Sequence, residues 1–327
     1  MEESIIEVKN LRKIFKTKHK EAGFLGSIKS IIRPDIREVI AVDDISFKIK
    51  KGEIVAFIGP NGAGKSTTIK MLTGILYPTS GNAVVSGLIP WNKRKKLAYN
   101  IGSIFGQKPQ LWYHLPAIDT FNLFSHIYDL DQKEYKERLN YLVGLFELKE
   151  IINTPVRKLS LGQRMKCEIV ASLLNKPKIL FLDEPTIGLD IIAKQKIREL
   201  IKELNQKEKV TILLTSHDTQ DIERLCKRII IINHGKIVYD GDIDRLNKKY
   251  LKNKIISIKF EDPFKGIDLN GVKIISSEKY SADIEVNTEK IPIKKVIDSL
   301  IKKYNVLDIT ISNTPIEEVI ANIYKQK

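Results

Sequence analysis

The chain has 327 residues, 43% of them hydrophobic, which is enough for one large α/β core and a smaller second unit. No apolar run approaches the roughly 20 residues that cross a bilayer, and only two cysteines occur, both in stretches with helical periodicity. These features argue against a membrane-spanning chain, a disulfide framework and a cysteine metal site, so we expect a soluble, cytosolic protein.

The formal net charge of +15 raises the question of an anionic partner. Basic residues are interspersed with acidic ones along the whole chain, and no aromatic platform for single-stranded nucleic acid accompanies them. We therefore expect a solvated surface that can meet the acidic headgroups of a membrane surface, and we expect no nucleic-acid partner.

Two strands and an insertion are predicted at the start of the chain. Residues 5–15 alternate apolar and polar side chains, and a second strand is predicted at 45–49. The insertion at 17–38 separates them and carries one apolar helical face, formed by Phe24, Leu25, Ile28, Ile31 and Ile32. Lys29 and Arg33 lie off that face, and Pro34 ends the helix. Such a basic amphipathic helix either packs on the chain's own β-sheet or faces a membrane surface or partner; both readings stay open.

Continuous apolar runs at 54–58, 179–182 and 211–214 predict strands that are buried on both faces, as in a parallel sheet. Helical patterns lie between them, at 192–207 and through most of 116–175. The fold class is therefore α/β.

The pattern changes after residue 242. Short strands are predicted at 255–260, 272–275, 281–286 and 306–311, with a helix around 293–301. A final helix is announced by Thr314 as N-cap, Pro315 at its first position and Glu317 completing a capping box. We divide the chain into a domain at 1–246 and a small α/β appendage at 251–327. The appendage has no catalytic constellation, so a regulatory or dimer-supporting role is expected.

A glycine-rich loop follows the strand at 54–58 and precedes a helical stretch, which is the context of a phosphate-binding P-loop. Its residues are Gly59, Pro60, Asn61, Gly62, Ala63, Gly64, Lys65, Ser66 and Thr67. In such a loop, backbone N–H groups and the helix N-terminus face a phosphate, the lysine bridges phosphate oxygens, and the serine hydroxyl binds Mg²⁺.

Two carboxylates, Asp183 and Glu184, end the apolar run at 179–182. The carboxyl edge of a parallel strand is where open α/β sheets bind ligands, and this arrangement is a Walker B motif. We expect Asp183 to hold Mg²⁺ and Glu184 to act as the base that polarises the attacking water.

Further motifs in the expected order give the chain a family resemblance. Residues 159–163 read LSLGQ, which resembles the LSGGQ signature of ABC ATPases. His217 matches that family's switch histidine, 188–190 match its D-loop, and Gln107 matches its Q-loop glutamine. The resemblance covers residues 5–246. It implies a P-loop NTPase core with an antiparallel β-subdomain and a helical signature subdomain.

The resemblance also implies which residues act. Lys65, Gln107, Glu184 and His217 would take part in hydrolysis of ATP, and Ser66, Gln107 and Asp183 would hold Mg²⁺. Nucleotide contacts would come from the loop and from Phe15, Ser160, Gly162, Gln163 and Asp190. In a head-to-tail dimer, Ser160 and Gly162 of one subunit close over the phosphate bound at Lys65 of the other.

The function implied is that of the ATP-hydrolysing subunit of an ABC transporter, similar to ABC-2-type exporters. Its partners would be a separate transmembrane permease and a second ATP-binding subunit, identical or related, on the cytoplasmic face of the cell membrane. A soluble ABC ATPase that acts on ribosomes or DNA is the alternative. The transported substrate cannot be read from this chain, because the translocation pathway belongs to the permease, and export is the direction that the resemblance implies.

Two positions need comment. Leu161 replaces the first glycine of the signature, which leaves Ser160 and Gly162 in place. Phe15 stands where the family places an aromatic ring on adenine, although a core aromatic at a strand end explains it nearly as well.

Overall fold

The structure is a computed structural model that describes residues 3–19, 35–106, 109–250, 253–313, 319–320 and 323–324. It contains two compact units, Met1–Asp240 and Gly241–Lys327. The division falls earlier than the boundary expected at 246, and the helix α8 (Ile243–Tyr250) belongs to the second unit.

A three-stranded antiparallel sheet opens the first unit, with strands β1 (Ser4–His19), β2 (Asp35–Lys50) and β4 (Ser80–Val85) in the order β2-β1-β4. The first two strands are longer than predicted, because their ladder continues until His19 pairs with Asp35. The predicted insertion is therefore wrong at both ends, where 17–19 and 35–38 are strand. Its apolar stripe, from Phe24 to Ile32, and Pro34 lie outside the described residues.

The second sheet has six strands in the order β5-β6-β7-β3-β8-β9. They are β3 (Ile54–Ile58), β5 (Ile101–Phe105), β6 (Ile179–Asp183), β7 (Thr211–Thr215), β8 (Arg228–Asn233) and β9 (Lys236–Asp242). The pairs β3–β7, β3–β8, β5–β6 and β6–β7 are parallel. Nearly every residue of β3, β6 and β7 is buried, which explains the continuous apolar runs and confirms the α/β fold class.

Helices cover this sheet and form the helical subdomain. Those next to the sheet strands in sequence are α1 (Lys65–Leu72), α2 (Arg94–Ala98), α6 (Ile191–Glu208) and α7 (Thr219–Leu225). The helical subdomain contains α3 (Ala117–Ile127), α4 (Gln132–Leu145) and α5 (Leu161–Leu173), with a 3₁₀ turn at Val156–Lys158. This confirms the helical character predicted for 116–175.

The second unit contains a four-stranded antiparallel sheet in the order β11-β12-β10-β13. Its elements are β10 (Asn253–Phe260), β11 (Val272–Glu278), β12 (Ser281–Asn287), α9 (Ile293–Lys303) and β13 (Val306–Asn313). One apolar core joins the sheet to α9, with Ile256, Ile284, Val296 and Leu300 fully buried. The predicted capping box at Thr314, Pro315 and Glu317 lies outside the described residues.

Across the described ranges, no helix is both long enough and apolar enough to traverse a bilayer.

Candidate nucleotide-binding site

The loop at 59–67 joins the carboxyl end of β3 to the first turn of α1. A β-carbon at Gly59 would lie 2.2 Å from the carbonyl oxygen of Ile232, and one at Gly64 would lie 2.4 Å from that of Ala41. Gly64 also has a φ of 110°, which side chains rarely adopt. Both positions therefore require glycine, and the tight turn that results leaves the N–H groups at the start of α1 available to an anion.

Lys65 is buried in this loop, with 7% of its surface exposed. Its Nζ donates hydrogen bonds to the carbonyl oxygens of Gly59 (2.5 Å) and Pro60 (3.2 Å). Burial lowers the pKa of Lys65, and the charges of Glu184 and Asp183 oppose that shift. A buried ammonium group of this kind gains from a phosphate that enters the loop.

Ser66 and Asp183 come together although they are far apart in sequence. The Ser66 hydroxyl donates to Oδ2 of Asp183 over 3.3 Å, and Thr215 Oγ1 donates to the other carboxylate oxygen over 2.5 Å. A hydroxyl and a carboxylate beside a phosphate-binding loop fit Mg²⁺, which takes one or two protein oxygens and fills its octahedron with phosphate oxygens and water.

Glu184 follows directly and has a φ of 56°, an unusual value for a residue with a side chain. Its N–H donates to the carbonyl oxygen (3.0 Å) and to the hydroxyl (3.1 Å) of Thr215. Its Oε1 lies 3.0 Å from Nε2 of His217. Strain at a site tends to be retained where the side-chain position matters, and here it places a carboxylate against an imidazole.

A buried hydrogen-bond network next to His217 in the chain could not be predicted from the sequence. Asp221, fully buried in α7, accepts hydrogen bonds from Ser216 Oγ (2.7 Å), Thr186 Oγ1 (2.5 Å) and Arg198 Nε (2.5 Å). It thereby ties the residue before His217 to α6 and to the turn after Glu184. None of these residues belongs to a local motif, so only the three-dimensional arrangement reveals them.

The signature residues lie at the N-terminus of α5. Ser160 caps the helix and accepts from the N–H of Gln163 (3.2 Å), while Oε1 of Gln163 accepts from the N–H of Ser160 (2.9 Å). The Gln163 side chain thus forms a reciprocal capping box. A β-carbon at Gly162 would lie 2.9 Å from that of Ala193, so glycine is needed there for α5 to approach α6.

Asp190 of the D-loop caps α6 by accepting from the N–H of Ala193 over 2.8 Å. Gly188 lies against the signature, since a β-carbon there would be 3.1 Å from the Leu161 side chain. The D-loop and the signature therefore form one surface.

The predicted residues thus form two groups. Lys65, Ser66, Asp183, Glu184 and His217 meet at the carboxyl edge of the six-stranded sheet, whereas the signature residues and Asp190 meet at the N-termini of α5 and α6. Within the described ranges, no hydrogen bond or ion pair joins the two groups.

Gln107 lies outside the described residues. The segment that follows it is fixed to α5, because the buried carboxylate of Glu168 accepts from the N–H groups of Gln110 (3.0 Å) and Leu111 (3.5 Å). Sequence reasoning also missed this anchor.

Phe15 is half-buried and pairs with Val39 across the β1–β2 ladder. Two residues further along β2, the carbonyl of Ala41 contacts Gly64 of the loop. The Phe15 ring also carries the Lys13 ammonium 5.1 Å from its centroid. The ring is therefore placed on the strand pair that borders the phosphate-binding loop.

A strand–loop–helix cradle with a buried lysine, and a carboxylate paired with a histidine at the same sheet edge, define a P-loop ATPase. Comparisons with known proteins narrow this class. The profile of the ABC transporter family matches residues 42–187. The ABC transporter ATP-binding protein NatA of Bacillus subtilis (strain 168) is 35% identical over 213 residues, which cover 65% of this chain and 86% of NatA.

The linearmycin resistance ATP-binding protein LnrL of Bacillus subtilis (strain 168) is 31% identical, over 86% of this chain and 93% of LnrL. Among solved structures, the dimeric post-hydrolysis state of the ATP-binding cassette MJ0796 bound to ADP and Pi has a TM-score of 0.60. It is 25% identical and covers 73% of this chain and 98% of that one. The chain belongs to the ATP-binding proteins of ABC transporters and is an ATPase subunit of that family.

Proposed function

We propose that this subunit hydrolyses Mg²⁺-bound ATP with Glu184 as the general base, and that it drives export through a separate permease. The observation that carries the catalytic assignment is the 3.0 Å contact between Glu184 Oε1 and His217 Nε2. It lies next to Asp183, which contacts Ser66 of the phosphate-binding loop. Magnesium position, base and phosphate cradle thus occupy one sheet edge.

The residues divide the work as follows. Lys65, Ser66 and the N–H groups of α1 bind the phosphates. Ser66 and Asp183 would hold Mg²⁺, whose charge would help to offset the charge that develops on the transferred phosphoryl group. Glu184 accepts a proton from water, and His217 orients the Glu184 carboxylate and stabilises the phosphoryl oxygens. We assign Gln107 to the hydrolysis site as a further Mg²⁺ ligand, and Phe15 to a stacking contact with adenine.

The signature group acts on a second subunit. The position of Ser160 and Gly162 at a helix N-terminus suits them to a phosphate, yet they are not joined to the chain's own loop. In a head-to-tail dimer they close, with Gln163 and Asp190 in support, over the nucleotide of the other subunit. The dimeric cassette MJ0796 bound to ADP and Pi supports a dimer of such subunits.

Exposed large apolar residues in the segment after residue 108 support a permease partner there. Trp112, Tyr113 and Leu115 are 49%, 53% and 40% exposed, although large apolar side chains are usually buried. Glu168 links this segment to the signature helix α5 by a hydrogen bond. A displacement of the segment by the permease would therefore shift α5, whose N-terminus faces the second subunit in the proposed dimer. NatA is named as an ATP-binding protein of an ABC transporter and LnrL as an ATP-binding protein of linearmycin resistance, which favours transport over an action on ribosomes or DNA.

Export is the proposed direction, because one relative is named for resistance to linearmycin. The subunit would then act on the cytoplasmic face of the membrane, where ATP is available. The second unit, Gly241–Lys327, would regulate or support the dimer.

Exchange of Glu184 for glutamine tests the catalytic assignment. Glu184→Gln keeps the shape of the side chain but removes its basic oxygen, so it should bind ATP and hydrolyse it at least ~100-fold more slowly, with a stable ATP-bound dimer. Lys65→Ala is the contrasting variant, because it should lose nucleotide affinity instead. Steady-state phosphate release and fluorescent ATP binding separate the two effects. Wild-type turnover by Glu184→Gln would refute the role given to Glu184.

A further inference from the structure

A basic pocket of about 430 Å³ lies in the first unit, lined by Lys51, Arg138, Lys176, Lys178, Lys207 and Lys209. Its lysines come from the segments that precede three strands of the six-stranded sheet: Lys51 precedes β3, Lys178 precedes β6 and Lys209 precedes β7. The basic pocket is therefore at the amino edge of these strands, whereas the phosphate-binding loop and Glu184 are at their carboxyl edge.

Hydrogen bonds hold these segments in fixed positions. The Asn205 amide donates to the carbonyl oxygens of Gly52 (2.9 Å) and Val210 (2.8 Å). The carbonyl of Lys178 accepts from the N–H of Thr211 over 3.0 Å. The backbone positions of the lysines are consequently preorganised, which lowers the cost of bringing them around a ligand.

Three of the six basic side chains that line the basic pocket have a carboxylate partner, and the other three have none among the described residues. The pocket's carboxylate, Glu208, already accepts two hydrogen bonds from the buried Arg138, at 2.7 and 2.8 Å. Lys176 and Lys207 pair with Glu134 and Glu203 at exposed positions, where such pairs contribute little. For Lys51, Lys178 and Lys209, the described residues provide no ion pair. Like charges that converge on one concave surface repel one another, and an anion would relieve this.

Two of the pocket lysines have an unusual backbone conformation. Lys176 and Lys209 have φ values of 50° and 54°, and among the described residues they are the two lysines with positive φ. Glycine or asparagine adopts this conformation more readily, so the lysine side chains are kept at a cost. Lys209 is also the C-cap of α6, and the helix dipole accounts for a basic residue there. It does not account for Lys51 and Lys178, which precede strands.

We propose that the basic pocket binds a multiply charged phosphate group, carried either by a small phosphorylated molecule or by a lipid headgroup. Its volume is in the range of small-molecule sites. Lysine ammonium groups suit a phosphate, because they act as point charges that need no planar geometry. The site is independent of the proposed hydrolysis mechanism, since it shares no residue with it.

Pyrophosphate is the soluble probe, and calorimetry on the full chain measures its binding. All proteins carry Lys65→Ala, so that the phosphate-binding loop does not contribute. We expect one pyrophosphate to bind per chain, and the pair Lys178→Gln and Lys209→Gln to weaken it roughly 100-fold, about tenfold for each lost charged hydrogen bond. The matched control is Lys133→Gln with Lys149→Gln, which removes equal charge at exposed positions outside the pocket.

Vesicles provide the second arm of the experiment. Flotation with phosphatidic acid in phosphatidylcholine vesicles tests a headgroup that carries a phosphate monoester. One outcome is that the Lys178→Gln/Lys209→Gln variant (the pocket pair) no longer floats while the Lys133→Gln/Lys149→Gln variant (the control pair) still does, and that no protein binds pyrophosphate measurably. This outcome would support the proposal and identify a lipid source. Binding of pyrophosphate that only the pocket pair loses would identify a soluble source. Equal behaviour of both pairs toward both probes would overturn the proposal.

Discussion

Thr215 holds the two carboxylates of the site in relation to each other. It is fully buried at the end of β7, and its hydroxyl donates to Asp183 while accepting from the N–H of Glu184. One side chain therefore fixes both the carboxylate proposed for Mg²⁺ and the backbone of the proposed base. Its isolated position in an apolar strand gives no motif, and the sequence alone did not indicate it.

Replacement of this hydroxyl by a methyl group tests its role. Thr215→Val should reduce the ATPase rate constant by about tenfold to a hundredfold, because small displacements of catalytic groups are costly. The free energy of unfolding should fall by about 1–3 kcal/mol, since Asp183 loses a buried donor. The N–H of Glu184 keeps its hydrogen bond to the carbonyl oxygen of residue 215 in this variant, so the fold should persist.

Steady-state ATPase assays and denaturant titrations measure the two effects. Thr215→Ser retains the hydroxyl and serves as the control. A wild-type ATPase rate in folded Thr215→Val would show that the hydroxyl does not position the carboxylates.

At the scale of elements, Glu168 connects the signature helix α5 to the segment that follows Gln107. Burial raises the pKa of Glu168 above its usual 4.5, although the N–H groups of Gln110 and Leu111 act in the opposite direction. The Glu168 carboxyl group therefore keeps its proton to a higher pH in the folded chain than in the unfolded chain. Between 4.5 and the raised pKa the unfolded state binds fewer protons, so stability falls as the pH rises.

Glu168→Gln should remove that part of the pH dependence. As the pH increases from 4.5 through the raised pKa, wild type should lose stability relative to Glu168→Gln, and the difference should become constant above it. The variant also carries a fixed loss of about 1 kcal/mol from weaker hydrogen bonds to the segment. Urea titrations at several pH values provide the measurement, with Glu150→Gln at an exposed position as the control. Parallel profiles for wild type and Glu168→Gln would contradict the effect.

The strands show which elements can be predicted from sequence. Runs such as 54–58 were predicted almost to the residue, because burial on both faces leaves a continuous apolar segment. The extents of β1 and β2 were not predicted correctly. Their ladder contains register shifts and the left-handed residues Asn10 and Asp44, which interrupt the alternation of apolar and polar side chains. The amide of Asn10 donates to the Asp44 carboxylate across the strands, a long-range contact that no local pattern shows.

The site divides in the same way. Residues of the phosphate-binding loop, Walker B and signature segments are local in sequence, so a pattern in the sequence locates them. The role expected for the signature segment comes from the resemblance to ABC ATPases. The residues that hold these segments in place do so by hydrogen bonds to residues distant in sequence. Asp221 accepts hydrogen bonds from Thr186 and Arg198, and Glu168 accepts one from Gln110. Sequence periodicity places these residues on helices but does not reveal what they face.

At the scale of the whole molecule, one exposed apolar surface remains beside the signature. Ile191 and Ile192 at the start of α6 are 81% and 82% exposed, and Ile187 and Leu161 are 43% and 37% exposed. Gly188 brings Leu161 against the D-loop, and Ile187, Ile191 and Ile192 are neighbours of that loop in the chain, so we treat these exposed side chains together as one patch. Leu161 replaces the family's glycine at this place, which adds apolar area where the proposed second subunit closes.

Polar substitution at this patch separates dimerisation from folding. In a Glu184→Gln background, Ile191→Ser with Ile192→Ser should leave the unfolding free energy within about 0.5 kcal/mol, because both side chains are exposed. The dissociation constant of the ATP-bound dimer should rise at least about tenfold, since burial of each isoleucine contributes up to ~1.5–3 kcal/mol. Sedimentation velocity with ATP and Mg²⁺ measures it.

The matched control is Ile127→Ser with Val238→Ser, which removes side chains that are 57% and 43% exposed elsewhere in the first unit. It should leave the dimer unchanged. A dimer equally stable in both pairs would place the interface away from α6, whereas a drop in monomer stability would mean that Ile191 and Ile192 support the fold. Only a weakened dimer with an intact monomer agrees with a partner that closes over the signature, because exposed side chains stabilise nothing until a second surface covers them.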